Sequence, residues 1–341
     1  MTSVLGIDPG FSEVRVAVLS SNGQAVLDTL SPEVNPFRWF EDRYGSHPAG
    51  VVIAGGYYAP CSPGVYRINE RMAEDAARLF GWHPRNRATV GAFRYCRDCG
   101  IPGAAVEPMS SVALSPEARL SGHPDWERPG VYYAFPERAS FLSACASLGL
   151  DPSVARGITV YLGDEVSVAA HRGMTIVATG DPIACEGPFG FASVGTLPAT
   201  SFVEWLEAGG ERAGLQDDIR ERLKARSGVF AYAGAATLGD LSRELYGDNR
   251  DAIRAVMGMA YQVSKEIGRA MAALKGAAEM IVLTGPGVSL DLLVSGIEER
   301  VAKWSRVVRV PEDYCMRALV EEGRAALFSK SLKAYPEEKR S

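Results

Sequence analysis

Histidine, clustered cysteine and long apolar runs are scarce in this sequence, and there is no excess of basic charge. Four histidines (His47, His83, His123 and His171) are too few and too scattered for a multi-histidine metal centre. The six cysteines stand apart, and only Cys96 and Cys99 fall at C-x-x-C spacing. One such pair, with no second at zinc-site spacing, is a weak metal signal. Packed free thiols are the simpler expectation, and a Cys96–Cys99 disulfide is the alternative. A net charge of −5 argues against a general nucleic-acid surface. No apolar run approaches the roughly 18 residues of a spanning helix, and the chain starts in a strand pattern rather than a leader. No membrane partner is expected, and the expected compartment is the cytoplasm.

The organising stretch is Val4 to Leu19: a strand, a tight loop at Asp8-Pro9-Gly10, and a second strand. In the latter, Val14, Val16 and Val18 alternate with Arg15 and Ala17. A similar hairpin recurs at Gly157 to His171. After the first hairpin come a third strand to Leu30, a helix from Pro36, and an apolar strand Gly50 to Ala54. Helices follow at Arg71 to Phe80 and Ala88 to Cys99, then a short strand Ala104 to Glu107. Ser115 and Pro116 open a helical turn, and a helix runs from Pro136 to Leu148. The second half repeats the order: strands to Thr179, a Gly/Pro-rich loop, and helices that include a charged, exposed one at Gln216 to Ala225. The long pattern Asp248 to Leu274 follows, then a strand ending at Thr284-Gly285-Pro286-Gly287, a helix, a strand, and a last helix Asp313 to Leu327. The charged tail after Lys330 is expected to be mobile.

This order predicts an α/β chain with a duplicated fold, mixed sheets and a central cleft. One lobe is expected to span residues 1–155 and regain the helix at 312–330; the other is expected to span 156–311. Four strand-end loops face the predicted cleft: Asp8-Pro9-Gly10, Gly55-Gly56, Gly163-Asp164-Glu165 and Gly285-Pro286-Gly287. Small residues there let backbone N–H groups approach phosphate oxygens, and a neighbouring acid can hold Mg²⁺. Any one loop is most simply a tight turn. Four in a duplicated strand order suggest a nucleotide between two lobes.

Longer motifs carry a family resemblance. Gly6-Ile7-Asp8-Pro9-Gly10 occupies the place of an N-P-G-S-T-S-T-K loop. Gly55-Gly56 and Pro63 to Met72 are similar to R-G-G…G-G-T-Y-x-V-N-E-x-M. Ala118 to Pro124 is similar to A-R-x-S-G-x-P, and Glu186 to Pro198 to G-E-G-P-F…G-G-L-P. Asp248 to Lys275 is similar to a G-D-x-x-A…K-E-I-G helix, and Leu283-Thr284-Gly285 to L-T-G-G. The chain thus resembles the butyrate kinases of the acetate kinase, actin and sugar kinase superfamily. The resemblance implies a two-lobed actin-like (ribonuclease H-like) fold, ATP and Mg²⁺, a small-molecule acceptor and a homodimer. By the same resemblance, Asp8 and Asp164 hold Mg²⁺. Gly10, Gly55, Gly56, Gly163, Thr284, Gly285 and Gly287 line the nucleotide. Arg119 and Glu107 face the acceptor, and Arg15 meets phosphate.

The departures bear on catalysis. The first loop has Phe11 and Glu13 in place of hydroxyls. Asp164-Glu165 replaces two glycines. Ala54 and Ser193 stand where the family has arginines, and Ala236-Thr237-Leu238-Gly239 replaces its T-N-D-x-R loop. Guanidinium groups stabilise the charge that spreads over a transferring phosphoryl group. The chain must therefore replace these cations, use another acceptor, or bind nucleotide without transfer. The last reading is a catalytically degenerate nucleotide- or ligand-binding protein. His171 reads as a packed strand residue or a base, and Glu186 as a turn acceptor or a metal ligand.

Overall fold

A computed structural model describes residues 3–112, 114–209, 215–329 and 331–336. Its first half runs β1 (Val4–Pro9), β2 (Val14–Leu19), β3 (Ala25–Leu30), α1 (Pro36–Tyr44), β4 (Gly50–Ala54), β5 (Val65–Arg67), α2 (Glu70–Phe80), α3 (Pro84–Cys99), β6 (Gly103–Val106), α4 (Pro116–Arg119) and α5 (Ala134–Leu148). The second half runs β7 (Arg156–Leu162), β8 (Val166–Arg172), β9 (Thr175–Thr179), α6 (Ala199–Gly209), α7 (Leu215–Lys224), α8 (Gly228–Ala233), α9 (Leu238–Tyr246), α10 (Arg250–Ala273), β10 (Met280–Thr284), α11 (Asp291–Val301), β11 (Arg306–Arg309) and α12 (Glu312–Ser329).

The duplication is visible in the sheets. One has the order β3-β2-β1-β4-β6-β5, and the other, read from its matching edge, β9-β8-β7-β10-β11. Each begins as an antiparallel meander and continues in parallel, with β4 beside β1 and β10 beside β7. The loops at the carboxyl ends of the central strands therefore fall at one end of each sheet, where open α/β sheets bind ligands.

The alternation in β2 suggests one wet face, yet all six of its residues are buried, Arg15 included. The reason is α12, which returns from the far end of the chain to pack on the first sheet. Helix α5 faces the second sheet and also touches α12. One apolar core consequently runs through both sheets, from Val4, Val52 and Val106 through Phe141 and Leu319 to Met280 and Val282. Such a core couples the lobes mechanically, because burial is the main favourable term of folding.

Two expectations fail here for packing reasons. The tail is anchored as far as residue 336. Lys333 pairs with β5 in backbone hydrogen bonds to Val65 and Arg67, and the buried Tyr335 hydroxyl donates to Asp75 at 2.8 Å. The rest of the tail lies outside the described residues. The four-residue stretch at Ala236 opens α9 instead of forming a loop: Thr237 caps the helix and Asp240 closes a capping box. All six cysteines are free thiols. No described helix is long and apolar enough to cross a membrane.

Gly323 lets α12 close on β4, since a Cβ there would lie inside the van der Waals surface of Val52. Gly323→Ala is expected to cost about 1–3 kcal/mol through overpacking. A urea-unfolding midpoint equal to wild type would show that this contact does not set the spacing.

Candidate active site at the meeting of the two hairpin turns

The turn after β1 and the turn after β7 come together although more than 150 residues separate them. The backbone N–H groups of Phe11 and Ser12 donate to one Asp164 oxygen at 2.7 and 2.8 Å. The Ser12 hydroxyl donates to the other at 2.7 Å. Three donors thus converge on one anionic group, as in the backbone cradles that hold phosphate. Gly10 makes the approach possible, because a Cβ there would stand 2.7 Å from Asp164 Oδ2. Asp164 is held from behind, where Ala192 N–H donates to its carbonyl at 3.0 Å.

Glu165 turns the other way and is fully buried. It accepts from Lys224 Nζ at 2.5 Å and from the Tyr133 hydroxyl at 2.7 Å, with His83 Nε2 at 3.2 Å. Burial pushes its pKa up, but Lys224 and His83 outweigh burial and hold it at about 2. Burial pulls Lys224 down, but the Glu165 and Cys185 interactions together outweigh it, and the net shift is upward. Both partners therefore stay charged. Lys224 also reaches Ser193 Oγ at 3.4 Å, at the position where an arginine was missed in the sequence. The helix read as exposed thus buries its last lysine.

Asp8 is likewise neutralised. Arg85 Nε and Nη2 donate to its two oxygens, both at 3.0 Å. Arg85 is fully buried with its guanidinium 4.4 Å from the centre of the Tyr133 ring. Its Nη1 is buried without a partner. Tyr133 stacks on Tyr161 at 4.3 Å, and Tyr161 accepts from Arg15 Nη2 at 2.9 Å. Arg15 also pairs with Glu312 at the start of α12. Burial opposes its charge, but Tyr161, Asp8 and Glu13 override it and raise the pKa. One aromatic and ionic network thus joins both turns and α12.

The other expected residues are arranged differently. Each oxygen of Asp8 and Asp164 already accepts at least one hydrogen bond in this arrangement. Glu107 follows β6 and lies against Gly55, while Gly56 lies against Arg85 and Asn86. It is buried with φ +48°, and it pairs with Arg138 at 3.0 Å rather than with Arg119. Burial raises its pKa against the pull of Arg138, and its Oε2 has no partner. Arg119 is exposed and pairs with Glu127; no contact ties it to Glu107 or Arg15 among the described residues. Thr284 is buried against Cys315. Gly285 and Gly287 lie against Leu162, filling the space beneath β7. Gly163 accepts from Phe191 N–H at the same turn.

Sequence reasoning missed His83, Arg85 and Lys224 as site residues. The one available signal was the set of acids in the two turns, which needed buried cations that no local spacing supplied. His171 is neutral: burial lowers it to about 3, and its Nε2 lies 2.8 Å from the Thr159 hydroxyl. That hydroxyl donates to Glu137 at 2.6 Å. Glu186 pairs with Arg128 and with Arg269.

Two outcomes are expected. Lys224→Met leaves Glu165 buried and uncompensated, and should cost about 3–5 kcal/mol; an unchanged denaturant midpoint would show that the pair carries no stability. Glu137 titrates at about 7 when folded, raised by burial from 4.5 despite hydrogen bonds from Ser167 and Thr159. Its proton is held more tightly in the folded chain, so this contribution is full below 4.5 and is lost as pH rises through about 7. Wild type should therefore lose stability relative to Glu137→Gln across that interval. Parallel stability curves would contradict the assignment.

No family model matches the chain. It is 28% identical to a protein named probable butyrate kinase from Listeria innocua, over 93% of this chain and 94% of that one. It is 26% identical to a protein of the same name from Enterococcus faecalis, over 94% of each. Among solved structures, a propionate kinase from Francisella tularensis superposes with TM-score 0.72 at 14% identity, covering 94% of this chain and 99% of that one. An acetate kinase from Entamoeba histolytica gives TM-score 0.72 at 14% identity, covering 96% and 100%. The chain is thus similar along nearly its whole length to proteins named probable butyrate kinase, and it shares its fold with a propionate kinase and an acetate kinase.

Proposed function

We propose that the chain is an ATP-dependent phosphotransferase whose acceptor is a small carboxylate. The observation that carries this reading is the three-donor cradle of Phe11 and Ser12 at the lobe junction. It holds an oxyanion, and here that oxyanion is the chain's own Asp164. The relatives' names place carboxylate kinases on the same scaffold, and they lend no support to a degenerate binding protein.

In the proposed reaction a carboxylate oxygen of the acceptor attacks the γ-phosphorus of ATP. A new phosphorus–oxygen bond forms, the bond to the β–γ bridging oxygen breaks, and ADP leaves with that electron pair. The transition state spreads negative charge over the equatorial oxygens. Arg85, with a buried unpartnered Nη1 beside Asp8, is the cation with a free donor to meet it, and Lys224, on the far side of the turn, holds Glu165 and adds positive charge behind it. They substitute for the family arginines missing at Ala54 and Ser193. A phosphate arriving at the cradle must displace Asp164, so the unliganded contacts compete with the nucleotide. Mg²⁺ accompanies ATP in solution. The carboxylates expected to bind it are already engaged, and no step is assigned to the metal.

A cavity of about 300 Å³ opens beside the cradle, with Gly10, Phe11, Val14, Trp82 and Arg87 among its walls. Its apolar sides suit a short alkyl chain, and Arg87 makes no ion pair among the described residues. We assign the acceptor to this cavity, with its carboxylate at Arg87.

Coupled ADP release should depend on added acetate, propionate, butyrate or a longer acid, and hydroxylamine should trap the acyl phosphate. No ADP above the enzyme-free rate with any acid would overturn the proposal. ATP loss independent of acid would point to a hydrolase. Removing a hydrogen bond to a charged group costs about 1.5–3 kcal/mol, so Arg87→Ala should raise the acid KM about 10- to 100-fold and leave the ATP KM near wild type. An unchanged acid KM would remove Arg87 from the site.

A further inference from the structure

At the ends of α1 and α3, three metal-ligating side chains converge. Glu41 lies on α1, His47 follows that helix, and Cys99 is the last residue of α3. Their ligand atoms lie within 4.8 Å of one another. His47 Nδ1 is 2.6 Å from Glu41 Oε1 and 3.6 Å from Cys99 Sγ. Tyr95, one turn before Cys99, donates its hydroxyl to Glu41 Oε1 at 2.7 Å and stands 3.1 Å from His47 Nδ1. The support is rigid: Phe37 of α1 stacks on Tyr95 at 4.5 Å, and Glu41 is one turn beyond Phe37.

We propose that Glu41, His47 and Cys99 form a binding site for a divalent transition metal of the zinc class, with a fourth position open to water. The donor set is the argument. A thiolate and an imidazole select a borderline-soft ion such as Zn²⁺ and disfavour Mg²⁺ or Ca²⁺, which take oxygen ligands. The distances agree. With zinc–ligand bonds of about 2.0–2.3 Å in a tetrahedron, the nitrogen–sulfur edge is about 3.5 Å and the nitrogen–oxygen edge about 3.3 Å. The first edge is already set. The second is a hydrogen bond that opens by about 0.7 Å to admit the ion.

Tyr95 supplies the outer support that orients metal ligands. Cys99 and Glu41 are half-buried and His47 is exposed, which leaves an entry path. Cys96, the other half of the C-x-x-C pair, is buried in the core among Phe37, Ile68 and Ala92 and takes no part. The pairing suggested by spacing is thus replaced by ligands 6 and 52 positions apart in the chain. The bound ion would clip the end of α1 to the end of α3.

The full-length chain, reduced and freed of metal with a chelator, is titrated with Co²⁺ and followed by absorption. Near-equimolar Co²⁺ should produce tetrahedral d–d bands and a thiolate-to-metal charge-transfer band, and Zn²⁺ should abolish both. The charge-transfer band should vanish in Cys99→Ser, persist in Cys96→Ser, and need upward of about tenfold more Co²⁺ in His47→Ala, since losing a ligand costs at least as much as losing a supporting residue. Zn²⁺, but not Mg²⁺, should raise the melting temperature of wild type more than that of His47→Ala, whose folding is checked by circular dichroism. No charge-transfer band with excess Co²⁺, a band retained in Cys99→Ser, or equal Co²⁺ affinity in wild type and His47→Ala would each overturn the proposal.

Discussion

Two adjacent carboxylates in one turn fasten the two halves of this molecule together. Asp164 faces outward onto the Phe11 and Ser12 donors, and Glu165 faces inward onto Lys224, His83 and Tyr133. Neither can be buried alone, since an uncompensated buried charge costs several kcal/mol. Their partners come from the first hairpin, the start of α3, the segment before α5 and the end of α7. Those elements must therefore meet at one place. The arrangement of the cleft follows from that requirement, and so does the network that extends through Tyr161 and Arg15 to α12.

The same constraint reconciles a kinase scaffold with a phosphate loop that lacks the usual residues. Phe11 and Glu13 replace hydroxyls in the first turn, yet its backbone N–H groups and the Ser12 hydroxyl hold an anion. Cations are missing at the positions the family resemblance marks. Buried cations stand nearby instead: Arg85 under Asp8, and Lys224 beside Ser193. In the proposed reaction, the charge needed for phosphoryl chemistry comes from other elements. Under the proposed function Asp164 is an internal competitor, held by the interaction that a phosphate would replace.

Much of the fold was legible because it rests on local pattern. Alternating valines gave the hairpins, Gly50 to Ala54 gave the buried strand, and Ser115-Pro116 gave a helix start. The duplicated order of elements gave the two sheets. What was not legible depends on distant partners. Arg15 alternates like a surface residue and is buried because α12 covers it. Lys224 sits in a charged helix that reads as solvated, and its burial depends on Glu165, 59 residues away. Arg85 meets Asp8 across 77 residues. Arg119 and Glu107 occupy motif positions, yet each is paired elsewhere, because motif position does not fix where a long side chain ends. The helix at Leu238 was missed although Thr237 and Asp240 carry a capping-box spacing.

The central claim is that Asp164 occupies the place of a nucleotide phosphate. Calorimetric titration of wild type and Asp164→Ala with a non-hydrolysable ATP analogue and Mg²⁺ tests it directly. Removing the competitor should make the variant bind about tenfold more tightly, a gain of roughly 1.4 kcal/mol. A variant that binds more weakly than wild type, or no binding by either protein, would contradict the account.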